Sequence, residues 1–199
     1  MKLIGVLALQ GDFVKHIQIF ERIGAKAVQI RNEENLEGID GLIIPGGEST
    51  AISKLLRRWA LMEPIANLVK NGLPVLGTCA GLILLADELV KWNHLPRIGG
   101  LSLMVTRNAY GRQIDSFETQ LEVDIPGGPA LSPFTGVFIR APRIEPGGLG
   151  EEVEVLSSFE GFPVLVRQKN ILAASFHPEL SGDLRLHRWF LECMVGRVD

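Results

Sequence analysis

Cys79 is the residue whose setting points most directly to chemistry. It lies in Gly77-Thr78-Cys79-Ala80-Gly81, a G-x-C-x-G pentapeptide between an apolar run and a helical pattern. This is the cysteine counterpart of a nucleophile elbow. Glycines flank such a turn because it is too tight for side chains there. The predicted geometry exposes Cys79 at the C-terminal edge of a sheet and at a helix N-terminus, where the dipole favours the reactive thiolate. The backbone N–H of Ala80 would face a forming oxyanion. Read alone, the pentapeptide equally suits a small buried cysteine between two packing glycines.

His177-Pro178-Glu179 supplies what a thiol nucleophile needs. The period of two in an extended segment puts His177 and Glu179 on one side, and Pro178 favours that conformation before it. Glu179 can then accept from one ring nitrogen and leave the other to serve the thiol. A loop histidine beside a surface glutamate is the alternative. Together with an elbow cysteine, the pair predicts a Cys-His-Glu triad. Pro45-Gly46-Gly47-Glu48-Ser49-Thr50 is a third strand-to-helix junction. It reads as an anion site, as a loop of backbone donors with Glu48 and Ser49 meeting a polar substrate, or as an ordinary capped turn. The phosphate fingerprints G-x-x-x-x-G-K-[ST] and G-x-G-x-x-G are missing. Arg107 and Arg140 fall at strand ends, where either could hold a carboxylate. His16, His94 and His187 show no metal-ligand spacing, no paired-cysteine zinc pattern is present, and Cys193 reads as a structural residue among apolar neighbours of the last helix.

These groups need a scaffold, and the first half of the chain predicts one. Strands at Leu3–Leu9, Ala27–Ile30, Gly41–Ile44 and Pro74–Leu76 alternate with helical patterns. One carries the stripe Phe13, Ile17 and Phe20, one begins at a Ser49 or Thr50 cap, and one runs through Leu82–Leu89. Such alternation gives a parallel sheet covered on both faces. The second half reads as short strands at Leu101–Thr106, Gln120–Ile125, Val137–Ile139, Val153–Leu156, Val164–Arg167 and Ile171–Phe176. Turns fall at Pro126-Gly127-Gly128-Pro129 and Pro146-Gly147-Gly148, and a last helix follows Gly182. The expected fold is one α/β domain over residues 1–199 with an antiparallel extension.

Composition narrows the function classes. The 199 residues are 46% hydrophobic and carry 20 Lys+Arg against 23 Asp+Glu. A net charge of −3 argues against a general binder of nucleic acid or anionic membrane. The longest apolar run, 75–86, is too short for a membrane span. Lys2 with Leu3–Leu9 imitates a signal peptide until Gln10-Gly11-Asp12 breaks the pattern. Two cysteines make no disulfide framework. A cytosolic protein with reduced thiols is expected.

The constellation resembles the class I, triad-type glutamine amidotransferases, and within them the glutaminase subunits of pyridoxal 5′-phosphate synthase. The resemblance rests on Leu7-Ala8-Leu9-Gln10-Gly11-Asp12, the Pro45–Thr50 and Gly77–Gly81 blocks, Arg107–Gln113, Phe138-Ile139-Arg140-Ala141-Pro142 and Ser175–Leu180. Thr106 and Tyr110 stand where that family would have Ala and Phe, and the stretch 143–150 looks family-variable. The resemblance implies a flavodoxin-like three-layer sandwich and L-glutamine as substrate, with no metal and no organic cofactor. Gly47, Glu48, Ser49, Arg107, Ile139 and Arg140 match the family's glutamine-binding positions. Backbone N–H groups near Gly47 and Ala80 would hold the oxyanion. It further implies a synthase partner of the PdxS type that takes up ammonia. The blocks fill the sequence and leave no stretch for an ammonia acceptor, so docking is expected to switch the site on, with Gln10 and Gly11 as sensing candidates. A cysteine peptidase or γ-glutamyl hydrolase with the same triad, and a non-catalytic phosphate-binding module, are the competing readings.

Overall fold

The computed structural model describes residues 1–91, 93–109, 116–125, 128 and 131–196. The expected turn at 126–129, apart from Gly128, and the Tyr110–Gln113 half of the arginine block lie outside the described residues. A seven-stranded sheet runs through the molecule. In chain order its strands are β1 (Leu3–Leu7), β2 (Lys26–Ile30), β3 (Gly41–Ile44), β4 (Val75–Thr78) and, from the second half, β10 (Glu154–Phe159), β11 (Phe162–Gln168) and β12 (Ile171–Ala174). Their spatial order is β10-β11-β12-β4-β3-β1-β2. The five strands from β12 to β2 are parallel, and β11 and β10 continue the sheet antiparallel. This is the mainly parallel α/β sheet with an antiparallel extension that the sequence predicts.

Period-two alternation sorts the strand residues into two apolar layers. Leu42, Ile44, Val75, Ile171 and Ala173 face one way. There they meet Ile52 and Leu56 of α2 (Ser49–Arg58), Ile65 and Val69 of α3 (Met62–Lys70), and all of α4 (Ala80–Leu85). Ile4, Val6, Ile43, Leu76 and Leu172 face the other way. They cover Phe20 of α1 (Phe13–Arg22) and Leu186 and Trp189 of α5 (Arg185–Trp189), which continues as a π-helical turn over Phe190–Met194. Each fully buried Leu, Ile or Phe contributes about 1.5–3 kcal/mol.

The remaining strands depart from expectation in instructive ways. The helix after β4 stops at Leu85, and Ala86–Leu89 forms β5, which pairs with β6 (Leu101–Thr106). Every residue of α4 is buried, so no polar face marks where it ends, and the pairing with β6 decides it. Pro146-Gly147-Gly148 is not a turn but lies inside β9 (Arg143–Leu149), an edge strand paired only with β6. Proline is tolerated at an edge, and Gly148 packs directly on Met104. The expected strand Gln120–Ile125 begins earlier, as β7 (Ser116–Leu121), and pairs with β8 (Phe134–Ile139). Cys193 is exposed on the last turn and not packed among apolar residues.

The junction between β4 and α4 depends on one missing side chain. A Cβ on Gly81 would lie 2.0 Å from the Ile44 carbonyl oxygen of β3, a backbone atom that cannot swing aside. Gly81→Ala is therefore expected to cost about 1–3 kcal/mol. Gly147→Ala, whose methyl would meet nothing within 4 Å, should stay within ~0.5 kcal/mol of the parent. Urea denaturation of the two variants checks this, and equal midpoints would show that the β3–α4 contact relaxes freely.

Candidate active site

Every element of the site leaves the sheet at the C-terminal ends of its parallel strands, where ligands bind in open α/β sheets. Residue 79 follows β4 with φ 47° and ψ −98°, a conformation costly for a residue with a side chain. The surroundings enforce it. Cys79 N–H donates to Ala174 O of β12 at 2.8 Å, and its carbonyl accepts from Ile83 N–H at 3.3 Å to open α4. Ala80, fully buried, is the first residue of that helix. At six residues α4 supplies a modest dipole, so the main electrostatic partner of Cys79 is His177. The thiol is 6% exposed and sits 3.8 Å from Ile139 O at the end of β8.

His177 and Glu179 meet, though by a different backbone from the extended one expected. β12 ends at Ala174, and Pro178–Leu180 forms a 3-10 turn. The turn folds Glu179 back so that His177 Nδ1 and Glu179 Oε1 stand 2.7 Å apart. Glu179 has no exposed side-chain surface. Burial alone would lower the affinity of His177 for its proton, but the Cys79 side chain and the Glu179 carboxylate outweigh it and push the pKa up to about 10. Burial would likewise raise Glu179, yet His16 and His177 beside it hold the carboxyl well below the usual range. The ring is thus held as an imidazolium between the Cys79 side chain and the Glu179 carboxylate, with Nδ1–H donating to Glu179.

The Pro45–Thr50 junction closes the other wall. Gly46 lies under the imidazole: a Cβ there would be 2.3 Å from His177 Cε1. Its N–H donates to Thr78 Oγ1 at 3.0 Å. Gln10 and Gly11, past the end of β1, press on the same loop. Gln10 Oε1 accepts from Glu48 N–H at 2.7 Å, and a Cβ on Gly11 would strike the Gly46 carbonyl. The helix cap is neither Ser49 nor Thr50. Glu48 accepts from Thr50 N–H at 3.0 Å and Ala51 N–H at 2.6 Å, because its longer side chain reaches both free donors of the first turn. Ser49 is buried behind it. Arg107 Nη2 donates to Thr50 Oγ1 at 3.1 Å and reaches Glu48 Oε1 at 3.4 Å. Arg140, with φ 43°, stands across the cleft.

The cleft holds about 360 Å³ and brings together Gln10, Gly11, Gly47, Glu48, Ser49, Cys79, Arg107, Ile139, Arg140 and His177. Ala80 and Glu179 lie just behind its wall. His16, which shows no metal-ligand spacing and for which the sequence predicts no other role, sits 3.4 Å from Glu179 Oε2. Its signal was present: His16 lies on the apolar stripe of α1, three residues after Phe13 and four before Phe20, and is completely buried.

The chain matches the SNO glutamine amidotransferase family over residues 6–196. It is 51% identical over 193 residues to the pyridoxal 5′-phosphate synthase subunit PdxT of Moorella thermoacetica, covering 97% of this chain and 99% of that one. With the protein of the same name from Thermus thermophilus it shares 52% over 190 residues, covering 95% and 96%. A crystal structure of a glutamine amidotransferase superposes with TM-score 0.88 at 51% identity, covering 95% of this chain and 97% of that one. A putative GMP synthase subunit from Thermoplasma acidophilum shares the fold at TM-score 0.64 and 19% identity, covering 96% and 92%. A match that runs from the end of β1 through the last helix and takes in every wall of the cleft leaves one assignment: the chain belongs to the SNO glutamine amidotransferase family.

Proposed function

We propose that the chain is a single-domain glutaminase, Cys79 its nucleophile, that feeds ammonia to a pyridoxal 5′-phosphate synthase subunit of the PdxS type. The observation that carries this is the buried line from Cys79 through the His177 ring to Glu179, with Nδ1···Oε1 at 2.7 Å, opening on a cleft of single-amino-acid size. The Cys79 thiolate attacks the side-chain amide carbon of L-glutamine. N–H groups of Gly47 and Ala80 hold the oxyanion, and the His177 imidazolium gives its proton to the departing ammonia. The thioester is then hydrolysed by water that His177 deprotonates. Glu179 keeps the ring in the Nδ1–H tautomer and stabilises its charged form. Arg107, Arg140, Ile139, Ser49 and the Gly47-Glu48 backbone orient the glutamine. The Glu48 carboxylate, engaged by Thr50, Ala51 and Arg107, acts by placing that arginine. No step calls for a metal or an organic cofactor. No helix among the described residues is long and apolar enough to cross a membrane, in keeping with a cytosolic enzyme.

The packing of Gln10 and Gly11 on the donor loop supports control by the partner. A docked synthase subunit that shifts the end of β1 would move the Gly46-Gly47 peptide, whose glycines accept several conformations at little steric cost. Ammonia released to neutral water is mostly protonated and lost as a nucleophile, so an ungated site would waste glutamine.

Three measurements test these assignments. A glutamine-like electrophile should add one label, abolished by Cys79→Ala and retained in Cys193→Ala; a label that survives Cys79→Ala removes the triad. Glu179→Gln should fold normally and lose on the order of 10²–10⁴ in kcat, whereas activity within about twofold of the parent would make the carboxylate merely structural. Saturating synthase subunit should raise kcat/KM for glutamine by roughly 10²–10³, the worth of one oxyanion donor. Equal values with and without it would refute gating and leave the triad intact.

A further inference from the structure

A second row of buried polar groups lies behind the triad, and the proposed reaction does not use it. Glu179 gives Oε1 to His177, and its buried Oε2 has no hydrogen bond of ordinary geometry among the described residues. His16 Nε2 faces that oxygen at 3.4 Å, with both side chains completely buried. Thr78 Oγ1, which holds the Gly46 N–H, is 3.5 Å from the same nitrogen. On the other side of the ring His16 Nδ1 and His187 Nε2 stand 3.0 Å apart. Among the described residues His187 Nδ1 has no hydrogen-bond partner, and its ring and that of Phe20 meet edge-on.

The position of the protons follows from this geometry. Burial pushes His187 down to about 3, so its ring is neutral and carries one N–H. On Nδ1 that proton would be a buried donor without an acceptor among the described residues, the rarest kind of buried defect. On Nε2 it donates to His16 Nδ1 and leaves only a bare lone pair. His16 Nδ1 is then an acceptor, and the proton of that ring must sit on Nε2, facing Glu179.

We propose that His16 is a positioning residue of the triad. His187 holds it in the Nε2–H tautomer, and its N–H is turned onto the second oxygen of Glu179, fixing the rotation of the carboxylate beneath His177. The proposal rests on the triad reading. A buried carboxylate oxygen without any donor is costly and free to turn. Once it turns, Oε1 leaves the line of His177 Nδ1, and the ring loses both its tautomer and its countercharge.

The two shorter amides separate this role from simple packing. Glutamine places its amide where His16 Nε2 is, while asparagine stops near Nδ1 and reaches only His187. Assayed with the synthase subunit, His16→Asn should lose about 10–100-fold in kcat, the range found when the hydrogen-bond partner that orients a metal-ligating side chain is removed. KM for glutamine should stay within about twofold, and His16→Gln should recover most of the activity. In the labelled full-length chain, the low-field proton resonance of His177 Nδ1 should move in His16→Asn and return in His16→Gln. Nitrogen shifts of the unmutated protein should place the His16 proton on Nε2, a reading that needs no variant to fold. A proton on Nδ1 overturns the proposal, as does His16→Asn with parental kcat and an unmoved resonance. If the unmutated protein hydrolyses no glutamine, the triad reading falls and takes this role with it. If it is active and His16→Asn equals it, only the role of His16 falls.

Discussion

Main-chain contact between β3 and the start of α4 is the constraint from which the site follows. Gly81 lets the helix come against the Ile44 carbonyl, closer than any side chain allows. The turn joining β4 to that helix therefore has little freedom, and Cys79 takes up its unusual conformation, pinned by the hydrogen bond from its N–H to Ala174 on β12. The same hydrogen bond ties β4 to the strand that delivers His177. One close approach thus sets the height of the sulfur and its place beside the His177 ring. Gly46 repeats the device on the facing wall, where the loop passes beneath the imidazole with no room for a side chain. In this glutamine amidotransferase the glycines act as spacers that define a gap, and chemistry occupies the gap.

Electrostatics complete what sterics begin. An imidazole almost out of water would normally lose its proton readily; here the thiol on one side and a carboxylate on the other reverse that tendency. The carboxylate in turn is tolerable in a fully buried place because rings stand at both of its oxygens. Each group is therefore expensive alone and acceptable in company, which makes the row from Cys79 to His187 a unit whose members cannot be judged one at a time.

The parts of this arrangement that are local in sequence could be read there. Gly77–Gly81 is a turn described by five residues, His177 and Glu179 are two apart, and the apolar runs before them announce a parallel sheet. Where contacts between distant segments decide, the reading failed. Nothing in Ala86–Leu89 says that it leaves the helix to pair with β6. Pro146-Gly147-Gly148 carries turn chemistry and is overruled by its place on an edge. Glu48 became the helix cap because its side chain reaches two free N–H groups, a geometric matter its residue type does not announce. His16 was the most informative miss. A polar residue on an apolar stripe poses a question, and its answer, Glu179, lies at the far end of the chain.

The placement of β12 has a consequence for how the protein comes into being. This strand, late in the sequence, lies in the interior of the sheet, between β4 and β11, and pairs in parallel register with β4, made long before it on the ribosome. Until it inserts, β4 has only β3 beside it and the cysteine turn lacks its anchor, while His177 and Glu179 have not arrived. Such late, long-range pairing is slow to form. A nascent or truncated chain therefore carries Cys79 without His177 and Glu179 beside it, and insertion of β12 that completes the hydrophobic sheet also brings the walls of the cleft together.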